Sequence, residues 1–195
     1  MYKKLRETYK PIFQQHIWND NQNIRGSHNC YSYFLNDINH DLKNIYEKED
    51  DKMRKVLNPQ PGHYCGMTKR VNYEETTCDK IIERVLCDNK DIKVIDKKNE
   101  DFDCGPDYYK GALAVDEGKM YHFYRQDKGG MWSHKDGGRD ATNLDYGGNK
   151  IHDPKFSDRG RYNKFCSYFC VPKNDYKKTN MARNNYKEGK LWYKS

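Results

Sequence analysis

The chain has 195 residues, of which 35% are hydrophobic, and a mean hydropathy of −1.25. That length suits one domain, and no run approaches the roughly 18 apolar residues of a membrane-spanning helix. The net charge is +7, but the 36 Lys and Arg are interspersed with 29 Asp and Glu and form no long basic block, which describes a solvated mixed surface and leaves nucleic-acid binding resting only on net charge and tyrosines.

Residues 1–25 are polar with scattered anchors, Tyr9, Ile12, Phe13, Ile17 and Trp18, and Pro11 opens or breaks a helix there. Asn19 to Asn23 reads as a loop, and Gly26-Ser-His-Asn29 as a turn feeding the first strong helix. That helix is expected to start at Asn29 or Cys30 and to run through Tyr33, Phe34, Ile38 and Leu42 to Ile45 or Tyr46, because apolar spacings of three and four make one buried stripe. Lys43 to Lys55 is charge-rich, and Asn58-Pro-Gln-Pro-Gly62 is a break. A second amphipathic helix is expected over Cys78 to Cys87, capped by Thr76 or Thr77.

Strands follow. Ile92 and Val94 suggest a short edge strand, and Asp101 to Pro106 a turn. Tyr108 to Asp116 reads as a buried strand, Met120 to Gln126 and Met131 to Lys135 as the arms of a hairpin turning at Asp127 to Gly130, and Tyr162 to Val171 as an aromatic strand ended by Pro172. The tail from Lys173 is basic and polar, with Leu191, Trp192 and Tyr193 as docking residues. Helices packed on one face of an antiparallel sheet make an α+β fold, with residues 1–25 as an extension, 26–172 as the domain and 173–195 as a tail.

The chemistry concentrates on three residues. Cys30 stands at the start of a helix, where the dipole favours a thiolate. His122 and His134 lie one on each arm of the hairpin, twelve positions apart, and can share a face. A thiol, a histidine to take its proton and a third group to orient that histidine are the parts of a nucleophilic triad. The other clusters are weaker. Cys166 and Cys170 on one strand face would lie about 13 Å apart, too far for one metal ion. The acidic, glycine-rich 140–153 stretch fails the calcium-loop register, and the paired glycines are turns without a phosphate-loop context. No metal and no cofactor are expected.

Asn29-Cys30 opening a helix, then His122 on a strand and His134 on its neighbour, resembles the NlpC/P60 branch of the papain-like cysteine hydrolases. The resemblance covers roughly residues 26–136 and implies an NlpC/P60-type sheet packed against the cysteine helix. Cys30 would be the nucleophile, His122 the base and acid, and His134 its orienting partner, acting on a peptide, amide or acyl substrate. The family's Asp-Cys-Ser-Gly is here Asn29-Cys30-Tyr31-Ser32, and its His-Val-Gly is His122-Phe123-Tyr124. The string from His122 through Trp132 and Asn143 to Asp153 also resembles an uncharacterised family of bacteria and large DNA viruses, and it places Arg125, Asp127, Trp132 and Asn143 around the site.

A thiol hydrolase is therefore the main expectation, and a catalytically inactive structural or virion protein with assembly partners is the alternative. Met1-Tyr-Lys-Lys-Leu-Arg6 is followed by no apolar core of a signal peptide. The seven cysteines are then expected as free thiols or ligands rather than a disulfide framework, in the cytosol or packaged from it into a virion.

Overall fold

Short capped helices come first and a sheet follows. In the computed structural model, which describes residues 11–54, 58–67, 71, 74, 76–95 and 102–172, the helices are α1 (Gln15–Asn19), α2 (Gln22–Ser27), α3 (Cys30–Phe34), α4 (His40–Lys48), α5 (Asp51–Arg54) and α6 (Cys78–Asp88). The strands are β1 (Lys93–Val94), β2 (Tyr108–Asp116), β3 (Met120–Gln126), β4 (Trp132–Lys135), β5 (Ala141–Thr142) and β6 (Lys164–Pro172). They form one antiparallel sheet in the order β1-β6-β2-β3-β4-β5. The fold is α+β, as the run of helices before strands implies. Residues 1–10 and the tail from Lys173, with its expected docking residues, lie outside the described residues.

Asparagine sets the helix boundaries. The side chains of Asn21, Asn29 and Asn39 each accept two backbone N–H groups at the starts of α2, α3 and α4, which satisfies donors a helix leaves open at its first turn. Thr77 does the same for α6 by accepting from Lys80. Capping also explains why the single helix expected from Cys30 to Ile45 is two. Asn36 takes a left-handed φ of 51° after α3, a conformation asparagine tolerates better than most residues, and Asn39 restarts the chain as α4. The apolar stripe is continuous across the break, so periodicity alone hides it. Similarly, Asn21 starts α2 inside the expected Asn19 to Asn23 loop, and α2 runs on into the expected Gly26 to Asn29 turn.

Each face of the sheet is covered. Tyr109, Leu113, Val115, Phe123 and Phe169 pack with Tyr31 and Phe34 of α3 and with Ile81 and Val85 of α6. Ala112, Ala114, Tyr124, Trp132, Tyr168 and Cys170 face the other way, under Ile95, Ile151 and Tyr162. The helix layer meets the sheet closely at Gly111, where an added Cβ would stand 2.1 Å from the Phe34 ring. Trp18 of α1 packs with Tyr33 and Ala141 at the β5 edge.

Cys166 and Cys170 do not share a face. Leu113 pairs with Ser167 but Ala114 pairs with Phe165, so Cys166 is the extra residue of a β-bulge and the alternation of β6 changes phase there. Cys166 joins the helix-side core and Cys170 the opposite one.

Six of the seven cysteines are paired, which overturns the expectation of free thiols. Cys65 bonds Cys87, Cys78 bonds Cys166 and Cys104 bonds Cys170. The first two fasten α6 at both ends, to the preceding turn and to β6; the third ties a loop to the other face of β6. Loops of 22, 88 and 66 residues are closed, and chain entropy assigns each closure on the order of 3–5 kcal/mol. Only Cys30 is free.

Candidate functional site

The pairing of β3 with β4 runs only from Tyr124 to Gln126. Toward its start β3 has β2 on one side and no β4 neighbour on the other. A cavity of about 250 Å³ occupies that gap, lined among others by Asn29, Cys30, Asn58, His122, Asp136 and Tyr162. Cys30 and His122 are thus brought together, and the backbone N–H of Phe123, next to His122, faces the Cys30 sulfur.

The histidine pair fixes its own proton positions. His134 Nε2 lies 2.9 Å from the Leu144 carbonyl, which can only accept, so Nε2 carries the proton. Nδ1 of a neutral His134 must then accept, and His122 Nε2, 2.7 Å away, donates to it. His122 Nδ1 is left with a lone pair and has no hydrogen-bond partner among the described residues, although the residue is 0% exposed. Stacking on Tyr162, with ring centroids 4.7 Å apart, holds the imidazole flat. Burial lowers the pKa of both histidines; the neighbouring His134 depresses His122 further, while the Leu144 carbonyl opposes the drop in His134. Both rings are neutral at physiological pH.

Cys30 differs from the activated thiolate expected at a helix start. It is 6% exposed, and burial pushes its thiol up to about 12 against the pull of the Phe123 N–H. The helix it heads has five residues, too short to build the dipole of a long helix. The resting group is a protonated thiol.

Arg125, Asp127, Trp132 and Asn143 do not line the cavity. Arg125 is fully buried on the helix side. It donates to Asp127 Oδ1 through Nε and an Nη at 3.1 and 3.0 Å, to Asn36 Oδ1 at 2.6 Å and to the Tyr33 hydroxyl at 3.0 Å. Asp127 also accepts from Ser133, whose hydroxyl bonds Tyr33. This network clamps α3 onto the hairpin. Trp132 is core, and Asn143 accepts from Lys150 at 2.9 Å.

Two buried polar groups carried no signal in the sequence. Lys135 follows His134 at a strand end, where a solvated lysine is ordinary, yet it is 0% exposed. Its Nζ donates to the carbonyls of Arg25, His28 and Gly137 at 2.6, 2.6 and 2.7 Å. Burial pulls this ammonium down to about 7, with Cys30 and Asp140 opposing; three carbonyls nonetheless need three N–H groups, which only the charged form has. His28 accepts from the Asn39 N–H through Nε2 at 2.8 Å, and its Nδ1 lies 3.1 Å from the Ile24 carbonyl. Burial lowers its pKa to about 4. Among the described residues no three His, Cys, Asp or Glu side chains form a group able to hold a metal ion.

No family model matches the chain, and no solved structure matches it. Sixty residues, 31% of this chain, are 48% identical to the Insoluble matrix shell protein 1 of Ruditapes philippinarum. The match spans about 40% of that relative's length. These findings correct the functional expectation. The NlpC/P60 resemblance finds no support, and the thiol-hydrolase and viral readings give way to a relative named for an insoluble shell matrix. The cytosolic or virion location is overturned as well: the relative is named for a shell matrix, and three disulfides belong to an oxidising compartment rather than to the cytosol. No helix among the described residues is long and apolar enough to cross a membrane.

Proposed function

We propose that the chain is a secreted structural protein that works by assembling with other proteins into an insoluble matrix. The observation that carries this reading is the 48% identity over 60 residues to an insoluble shell matrix protein. The disulfide framework supports it: a chain of such polarity is held by covalent staples that persist outside the cell. The surface also suits assembly. Phe156 is 80% exposed, with Ile12 and Phe102 each more than half exposed, and charges of both signs are interspersed along residues 26–172.

The unit that carries the role is taken as residues 26–172, extended by 1–25 and by the basic tail 173–195. Arg125 and Asp127 act in it as the fastening of α3 to the hairpin.

The experiment is secretion of the protein from a eukaryotic host, followed by sedimentation at rising concentration with and without a reductant. Concentration-dependent particles are expected from the oxidised protein and from Cys30→Ala, with loss of the particles on reduction. A variant ending before Lys173 is expected to assemble less. A protein that stays monomeric in every condition and does not co-sediment with matrix protein extract contradicts the proposal.

A further inference from the structure

The cavity at Cys30 has the attributes of a small-ligand site. We propose that it captures an amino-acid disulfide such as cystine, holding one half as a mixed disulfide on Cys30. Three observations combine. Cys30 is the one cysteine left free in a chain whose other six are oxidised. His122 lines the same cavity fully buried, and with Nε2 committed to His134 its unpartnered Nδ1 is the nitrogen left for a ligand or for the thiol proton. The remaining lining is mixed, with Asn58 and Gln60 beside the apolar Val71 and Met120, and it carries one charge of each sign: Lys119, whose Nζ lies 3.4 Å from Asp116, and Asp136, which accepts from the Tyr162 hydroxyl at 3.3 Å. A charge of each sign suits the carboxylate and ammonium of an amino acid. At about 250 Å³ the space exceeds the ~150 Å³ that accommodates benzene in an engineered cavity.

The exchange is balanced without a further oxidant. The Cys30 proton passes to His122 Nδ1, and the sulfur attacks one sulfur of cystine. The cystine S–S bond breaks as the Cys30–S bond forms. The departing thiolate takes the proton back from His122 and leaves as cysteine. Cys30 is oxidised and the departing sulfur is reduced. His134 acts as a positioning residue, keeping His122 in the tautomer with Nδ1 open. This inference does not depend on matrix assembly, so either can fail alone.

The test mixes the native secreted protein with L-cystine or with the uncharged 2-hydroxyethyl disulfide and follows intact mass and the modified peptide. The native protein is expected to gain a single cysteinyl group on Cys30, at a rate that saturates with cystine and exceeds the uncharged reagent's by at least tenfold. In guanidinium, with the three disulfides retained, that preference is expected to vanish. Lys119→Gln, at a side chain that is 67% exposed and keeps an amide to donate to its partner Asp116, is expected to reduce the preference severalfold. His122→Gln is expected to slow capture of both reagents. No adduct on native Cys30, or the same reagent preference before and after unfolding, overturns the proposal.

Discussion

Lys135 donates to three carbonyls from inside the protein, and the sequence around it, Trp132-Ser-His-Lys135, reads as a strand end with a solvated charge. Replacement by methionine keeps the volume and removes all three donors, leaving buried carbonyls without partners. Lys135→Met is expected to destabilise the fold by about 3 kcal/mol, measured by urea unfolding. Asp127 presents the complementary case, because its loss strands a guanidinium that is 0% exposed. Asp127→Ala is expected to cost about 4 kcal/mol, and the double variant with Arg125→Met less than the sum of the two single changes. His28 sets an acid limit. Its folded pKa of about 4 lies below the 6.5 of the unfolded chain, so between these values the unfolded state holds the extra proton. Its contribution is complete above pH 6.5 and is lost as pH falls toward 4, worth about 3 kcal/mol. The depressed pKa values of His122 and His134 act in the same direction. The cause in His28 is burial first, with the nearby Lys135 ammonium adding to it. Urea midpoints at pH 7 and pH 4.5 measure the loss, and His28→Gln is expected to shrink the difference between them.

Between elements, the tightest fit is α3 against β2. Phe34 lies over Gly111, whose backbone has no unusual φ and would accept a side chain if space allowed. Gly111→Ala is therefore expected to push α3 away from the sheet and to destabilise by about 1–3 kcal/mol, with Phe34→Leu restoring part of the loss. At this scale much was legible. The hairpin arms and the alternation of β3 follow from aromatic patterning, and they place His122 and His134 on one face as the sequence suggests. What escaped reading were local decisions by single polar residues. Asn36 and Asn39 cut one amphipathic stripe into two helices, and an extra residue at Cys166 reversed the facing of β6. Periodicity records which side is apolar; it carries no mark of where a cap or a bulge interrupts it.

For the whole molecule, cysteine pairing decides the character of the chain. Seven cysteines at irregular spacings suggest free thiols, and Cys30 with two histidines then reads as a catalytic centre. Pairing is a property of three dimensions: Cys78 and Cys166 are 88 positions apart, and no spacing rule joins them. Once six cysteines are staples, the hydrophilic composition has a physical explanation, because cross-links supply stability that a small apolar fraction does not. The covalent framework and the similarity to an insoluble shell matrix protein then point the same way.

Peptide mapping of the secreted protein without reduction, after alkylation of accessible thiols in denaturant, tests that framework most directly. The structure requires linked peptides for Cys65 with Cys87, Cys78 with Cys166 and Cys104 with Cys170, and a label on Cys30 alone. Labels on several cysteines, or a different set of pairs, would contradict the account of a disulfide-stapled structural protein.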